Sequence, residues 1–476
     1  MPEPCPLDAA SLESLAVRFG TPLQIYDEES IRLNCRGLLS AFGSRFPGFR
    51  QFFAVKALPN PAILRVLIDE GCGLDCSSVG ELHIAEELGV RGEDIMYTSN
   101  YTSYGDLQIA ARMGVIVNLD DASLLPTLIE ANGGKPPLLI SFRLNPGLGH
   151  TDSESASNVL GGPNAKFGVP PDQIVAAYKS AKAAGVSRFG LHMMTGSCVL
   201  SDTYWLEAVN VLLDAAARIQ AEAGIQEFDF INIGGGLGIP YREGAPRVNI
   251  DSLSASLAAA FDKRWAAKAG LRGPPPKLYM ENGRFMTGPY GWLVTRCEAV
   301  KEAFGSRYFG LDSSMANLMR PGMYGSYHAI TVPAREGDGV RAPAHVVGTL
   351  CENNDWFAKD RHLPENARRG DLFVIHDTGA HSHSMGFQYN GKLRAPEVLL
   401  RFLPGRPAEL IRRRETLDYL YGNTVMPLDL KVRVPQKYRY VQEPHTNWAY
   451  LATLAAALAG GTAIGVVAVH LRALSK

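Results

Sequence analysis

Phe52-Phe53-Ala54-Val55-Lys56-Ala57 is an apolar, strand-like run that ends on a lone amine, and it is the first of a series. Further runs follow at Leu74–Cys76, Ile95–Thr98, Val115–Leu119, Leu138–Phe142, Phe189–Met193, Phe228–Ile233 and Leu278–Met280, giving eight in all. Between the early ones lie apolar residues at spacings of three and four, such as Ile63, Leu64, Leu67 and Ile68, then Leu82, Ile84, Ala85 and Leu88. Gly71 and Gly89 stand where those helical patterns stop. Strand alternating with helix over about 230 residues implies parallel strands, and eight repeats favour a TIM-type (β/α)8 barrel over a doubly wound sheet. In such a barrel the C-terminal strand ends converge on one mouth, which places Lys56 like a catalytic amine.

The composition suits a large packed core, with 46% hydrophobic and 20% charged residues and a net charge of -1. So balanced a charge excludes a nucleic-acid partner held by a basic field. After the eighth run the pattern changes to β-rich segments such as Ala344–Leu350 and Asp371–His376 separated by turn residues, which predicts a second, mostly β domain. The expected division is an N-terminal segment 1–45 contributing to the β domain, the barrel 46–295, the β domain 296–422, a Pro-containing linker 423–447 and an apolar helix 448–471. The seven cysteines include no Cys-x-x-Cys pair. Together with an N-terminus that lacks the layout of a signal peptide, they predict a reducing, cytoplasmic compartment.

The C-terminal stretch from Ala449 to Val469 carries no charged residue and has the length of a bilayer-spanning helix. Trp448 and Tyr450 at one edge, Arg472 and Lys476 beyond the other, and Gly461-x-x-x-Gly465 between them read as a transmembrane tail anchor tethering the body to a membrane. The alternative is an Ala- and Gly-rich helix packed on the body or on a partner.

The strand ends carry a consistent chemistry. Gly234-Gly235-Gly236-Leu237-Gly238 follows the seventh run, where glycines let backbone N–H groups approach a phosphate, with a ligand-free tight turn as the alternative. Ser197, in Thr195-Gly196-Ser197, offers a hydroxyl to the same anion. Glu281-Asn282-Gly283-Arg284 closes the eighth run and puts a carboxylate and a guanidinium at the mouth. An amine, an anion cradle and a carboxylate for a heterocyclic nitrogen together specify pyridoxal 5'-phosphate far better than any one does.

Several ordered motifs extend the pattern. They are Phe53-Ala54-Val55-Lys56-Ala57-Leu58-Pro59-Asn60, Asp75-Cys76-Ser77-Ser78-Val79-Gly80-Glu81-Leu82, Asn145-Pro146-Gly147 with Lys166-Phe167-Gly168, and Gly234 to Tyr241. Arg320-Pro321-Gly322-Met323-Tyr324-Gly325 and Cys351-Glu352 complete the set. From about Leu15 to about Gly422 the chain resembles diaminopimelate decarboxylases, which belong with ornithine decarboxylase to the barrel-type pyridoxal phosphate decarboxylases.

The resemblance implies that Lys56 carries the cofactor, that Ser197, Gly234, Gly235 and Gly236 bind its phosphate with help from the Gly283-Arg284 backbone, and that Glu281 pairs with the ring nitrogen. It also implies that Arg284, Arg320 and Tyr324 hold a distal carboxylate of the substrate and Glu352 a distal ammonium. Cys351 becomes the proton donor, contributed across the interface of a homodimer with shared active sites. The implied reaction is decarboxylation of meso-2,6-diaminopimelate to L-lysine in lysine biosynthesis. The alternatives are decarboxylation of a related carboxylated diamine or amino acid, or a non-catalytic homologue acting as a partner. Two positions depart from the family pattern: Met194 stands where a ring-stacking histidine is usual, and His381 where a phosphate-contacting tyrosine is usual. Met194 is expected against the ring and His381 at the phosphate. His376, His381 and His383 lack the ligand spacing of a metal site, so no metal is expected.

Overall fold

In the computed structural model of the protein, residues 3–266, 271–337, 339–403 and 406–425 are described. The described residues up to Leu420 form one compact unit. The first strand, β1 (Leu23–Asp27), belongs to a sheet completed much later in the chain. The next eight close a barrel: β2 (Arg50–Ala54), β3 (Gly73–Cys76), β4 (Ile95–Ser99), β5 (Ile116–Leu119), β6 (Leu139–Leu144), β7 (Arg188–Met193), β8 (Phe230–Asn232) and β9 (Lys277–Met280). Every neighbouring pair is parallel, and β9 returns to β2 through Tyr279 opposite Arg50. Each of the eight runs read from the sequence is therefore a stave, shifted by at most a few residues.

Local chemistry sets the strand-to-helix turns at the mouth. Asn60 caps the helix Pro61–Asp69 by accepting from the Ala62 N–H, with proline at the first turn where no donor is needed. Ser78 caps Val79–Glu87 by accepting from Glu81 N–H, while the Glu81 carboxylate accepts from the Ser77 backbone at 2.6 Å. These caps pin the loops that follow β2 and β3, and Lys56 sits in the single 3-10 turn Val55–Ala57 between β2 and its helix.

Alternation along the staves sorts residues between two environments. Phe53, Leu74, Val117, Ile140, Leu191, Ile231 and Met280 face the surrounding helices in the main core. Their neighbours Phe52, Met96, Ile116, Leu139, Phe230 and Tyr279 form a separate apolar cluster that plugs the barrel. Phe230 stacks on Tyr279 with centroids 4.6 Å apart, and its ring fills the space a side chain at Gly190 would need. One step further along the same inward rows come Asp75, Asn118, Ser141, Arg143, His192 and Asn232, all buried and all polar. The interior thus changes from apolar to polar toward the C-terminal strand ends.

The second body is a nine-stranded sheet formed by β1, β10 (Gly291–Ala303), β11 (Ser306–Leu311), β12 (Ile330–Thr331), β13 (Arg341–Val347), β14 (Trp356–Pro364), β15 (Leu372–Ile375), β16 (Glu397–Leu403) and β17 (Arg406–Arg412). β1 pairs antiparallel with β10 and parallel with β16, so the N-terminal segment is stitched into the C-terminal sheet. The sheet bears on the barrel mouth, where the His381 N–H donates to the Ala57 carbonyl at 2.9 Å.

One expectation is corrected. Among the described residues no helix is long and apolar enough to cross a membrane, so the transmembrane helix is withdrawn. The stretch 449–469 on which it rested, like the linker 423–447 beyond residue 425, lies outside the described residues.

The barrel plug gives the first expected outcome. Phe230→Ala removes a fully buried ring from a cluster that helices cannot reach to refill, and should cost about 3–5 kcal/mol of stability. Urea unfolding followed by circular dichroism measures it; a loss below about 1 kcal/mol would show that the plug is not close-packed.

Candidate active site

Two walls of opposite charge face each other at the barrel mouth. The acidic wall is built from β3, β5, β7, β8 and the turn after β9. Lys56 Nζ donates to Asp75 Oδ2 at 3.0 Å, and Asp75 is wholly buried. The Lys56 side chain is 49% exposed although protein surrounds it, because it projects into the open mouth rather than into packing. Burial disfavours its charged form, but Asp75 and then Glu281 outweigh that effect and hold the ammonium above its usual value. Burial, reinforced by Glu281, pushes the Asp75 carboxyl up to about 7 against the opposing pull of Lys56.

Glu281 is held more firmly still. Its Oε1 accepts from Asn232 Nδ2 at 2.7 Å and from Asn118 Nδ2 at 3.5 Å, and its Oε2 meets His192 Nε2 at 3.0 Å. Burial alone would raise this carboxyl, yet His192, Lys56 and Asn232 together bring it below its usual value, so it stays ionised. Glu281 thus presents an ionised carboxylate to the mouth, a fitting partner for a protonated ring nitrogen.

The basic wall holds Arg284 and Arg320, both buried. Arg284 donates to Ser197 Oγ at 3.1 Å and to Tyr241 Oη at 2.6 Å; Arg320 donates to the same Tyr241 oxygen at 2.7 Å. His328 Nε2 lies 3.0 Å from Arg320 Nη1, and its Nδ1 lies 2.8 Å from the His376 carbonyl. A carbonyl can only accept, so Nδ1 carries the proton and Nε2 receives the guanidinium bond. Burial and the adjacent Arg320 push His328 well below its usual value, which keeps it neutral in that role. Among the described residues neither arginine has a carboxylate partner, so two buried cations converge on a space with no counter-ion.

The glycine loop completes the enclosure. Gly234 and Gly236 have positive φ, and a side chain at Gly234, Gly235 or Gly236 would overlap backbone of the loops after β7 and β9. Asn282 fixes this loop from below, accepting from Leu237 N–H at 3.2 Å and donating to Gln51 Oε1 at 3.1 Å. Buried atoms without partners cluster around the same space: Asp75 Oδ1, Asn118 Oδ1, Ser141 Oγ, His192 Nδ1 and Arg284 Nε. Such unspent polar capacity in one place marks a ligand site. An aldehyde-bearing, protonatable ring with a phosphate fits it, because the amine, the ionised Glu281 and the Ser197–Arg284 pair stand where each part of that cofactor needs a partner.

The expected site residues divide into two groups. Lys56, Ser197, Gly234, Gly235, Gly236, Glu281, Gly283, Arg284 and Arg320 come together here. His381 joins them, kept neutral by burial and by Arg284, Arg320 and Lys56. Met194 turns its Sδ to the Gly235 N–H at 3.2 Å, so it caps the glycine loop. Tyr324 closes the short helix Arg320–Tyr324. Cys351 and Glu352 lie apart, exposed on a loop that Asp355 clamps by accepting from Leu350 and Met315 N–H groups at 2.9 and 2.7 Å. Within one chain no contact joins them to Lys56 or Glu281 among the described residues. Sequence reasoning missed Asp75, His192, Asn232, Tyr241 and His328. Counting inward rows by two along β3, β7 and β8 would have found the first three.

Known proteins place this geometry. Residues 31–288 match the family model described as pyridoxal-dependent decarboxylase, pyridoxal binding domain. The chain is 38% identical over 420 residues to a diaminopimelate decarboxylase of Methanothermobacter thermautotrophicus, covering 88% of this chain and 95% of the relative. It is 44% identical over 410 residues to Protein TabA of Pseudomonas amygdali pv. tabaci, covering 86% and 92%. Among solved structures, diaminopimelate decarboxylase from M. jannaschii in complex with L-lysine superposes with a TM-score of 0.80 at 29% identity, covering 88% of this chain and 95% of that one.

The Lys56–Asp75 pair generates a pH-dependent outcome. Only the neutral amine reacts with an aldehyde, and Asp75 is the nearest group that favours the charged form. Removing that carboxylate in Asp75→Asn should move the midpoint of Lys56 reductive methylation to lower pH, read by mass spectrometry across a pH series. An unchanged midpoint, or one shifted upward, would contradict the assignment.

Proposed function

The chain belongs to the diaminopimelate decarboxylase family of pyridoxal-dependent decarboxylases, and on that footing we propose that it releases one carboxyl group of meso-2,6-diaminopimelate as carbon dioxide, leaving L-lysine. It is a carboxy-lyase that uses pyridoxal 5'-phosphate and acts on an amino acid. The observation that carries the reading is the mouth itself, where a lysine paired with a buried aspartate faces an ionised, triply held glutamate across from two buried arginines without a counter-ion.

When bound, pyridoxal phosphate supplies the conjugated ring that accepts the electron pair left at Cα as carbon dioxide departs. The residues of the chain prepare that event. Lys56 supplies the amine of attachment, and Asp75 sets how much of it is neutral. Glu281 stays ionised and so favours a proton on the ring nitrogen. Ser197, the glycine loop and the Gly283-Arg284 turn hold the phosphate, with His381 as a neutral neighbour able to donate to it. Arg284 and Arg320 bind the carboxylate at the far end of the substrate, which a diamine-forming enzyme would not need.

Protonation at Cα needs an acid besides the amine that carries the cofactor. Cys351, exposed beside Glu352 on its clamped loop, meets that need if a second copy presents it, with Glu352 receiving the distal ammonium and Tyr324 bordering the carboxylate. The homodimer with shared active sites is therefore part of the proposal. Two observations favour a second reading, decarboxylation of a related carboxylated amino acid. Met194 occupies the Gly235 N–H where the family has histidine, and the relative Protein TabA is closer in identity than the named decarboxylases quoted above.

Purified protein supplied with pyridoxal phosphate should release carbon dioxide from meso-diaminopimelate with lysine as the product, and a substrate panel compared by kcat/KM decides between the two readings. Lys56→Ala should abolish turnover, and Cys351→Ala should lower kcat by about 10²- to 10⁴-fold. Mixing those two variants after dissociation should restore about a quarter of wild-type activity, because half of the random dimers carry one intact shared site. Failure of the mixture to recover activity would place Cys351 outside the partner's site.

A further inference from the structure

We propose that Tyr241 is a third member of the carboxylate clamp and that its hydroxyl selects substrates ending in a carboxylate over the corresponding diamines; the inference rests on the decarboxylase reading above. Tyr241 follows the glycine loop in Gly238-Ile239-Pro240-Tyr241, and nothing in the sequence reading gave it a role.

Its phenolic oxygen accepts from Arg284 Nη1 at 2.6 Å and from Arg320 Nη1 at 2.7 Å. A hydroxyl has two acceptor positions and one hydrogen, so these two bonds fill the acceptor side and leave the O–H free to donate. No acceptor for that hydrogen exists among the described residues. The ring also sits against both cations, 4.8 Å from the Arg320 guanidinium carbon and 5.8 Å from that of Arg284. The phenol therefore relieves the repulsion of two neighbouring guanidiniums in the absence of an anion, while pointing one more donor at the place an anion would occupy.

The surroundings make the arrangement a directed one. Arg320 is fixed behind the phenol by the neutral His328 at 3.0 Å and by Ser326 Oγ at 3.4 Å, and His328 packs edge-on to the Tyr241 ring at 5.1 Å. Arg284 is fixed on its far side by Ser197 at 3.1 Å, and its buried Nε has no partner. Three donor groups converge with every protein acceptor already used. A carboxylate can take up all of them, whereas an ammonium or a methylene end would leave buried donors unpaired beside two positive charges. The discrimination thus acts through both attraction and exclusion.

L-lysine and pentane-1,5-diamine separate this role from a structural one, since they share the amine that enters the cofactor pocket and differ by the carboxylate at the other end. In Tyr241→Phe the ring remains and only the oxygen is lost. With the cofactor-loaded enzyme, calorimetric titration should show L-lysine binding weakened roughly 10- to 100-fold, the scale of one hydrogen bond to a charged group, with diamine binding unchanged or tighter. Pyridoxal phosphate content should match wild type, and KM for meso-diaminopimelate should rise with kcat nearly constant. Equal weakening of both ligands would make Tyr241 a purely structural residue, and unchanged lysine binding would remove it from the clamp; either result overturns the proposal. Wild type that turns over meso-diaminopimelate keeps the decarboxylase reading standing whichever way Tyr241→Phe behaves.

Discussion

An ionised carboxylate held almost wholly out of water is the constraint around which the mouth is arranged. Beside Lys56, Glu281 keeps its charge at that depth because Asn232, Asn118 and His192 all direct polar groups at it. Those three residues come from β8, β5 and β7, so the barrel must close in one register for the set to form. The same register puts the apolar plug of Phe52, Phe230 and Tyr279 directly beneath, which seals the lower interior and leaves the polar layer as the floor of a cavity. Fold and chemistry are therefore one requirement: a slip of one residue in any stave would turn an inward carboxylate or amide into the helix layer and bring an apolar side chain to the mouth.

Opposite this acidic floor the β-sheet body delivers the positive wall. Arg320, Ser326, His328 and His381 all come from segments between β11 and β16, while Arg284 and Tyr241 come from the barrel loops. Contact between the two bodies at His381 and Ala57 sets their spacing next to Lys56. The neutral histidines matter here because a third or fourth positive charge beside two buried guanidiniums would oppose closure of the wall; burial and the arginines themselves keep His328 and His381 uncharged. The outcome is a cavity polarised from end to end, suited to a ligand that presents a cation to one wall and anions to the other.

Much of this was legible in the residues. The eight staves follow from apolar runs interrupted by helical spacings and closing glycines, and Lys56, Glu281 and the triglycine turn follow from lying at strand ends. What stayed hidden was the inward polar row, because Asp75 and His192 sit inside strands where a single polar residue reads as noise, and Asn232 lies in a stave only three residues long. Tyr241 and His328 were invisible for a different reason: their partners are distant in sequence, and only the folded chain brings Tyr241 to Arg320. Asn282 carried no role in the sequence, yet it is fully buried and ties the glycine loop to Gln51. The membrane span rested on composition alone, in a stretch outside the described residues, and no described helix is long and apolar enough to cross a membrane.

The central claim is that the amine of residue 56 is the point at which pyridoxal phosphate becomes attached. Borohydride reduction of the loaded enzyme, followed by proteolysis and mass spectrometry, tests it directly. The account predicts one cofactor-derived adduct, on the peptide containing Lys56. An adduct on any other lysine, or none on an enzyme that still binds the cofactor, would contradict it.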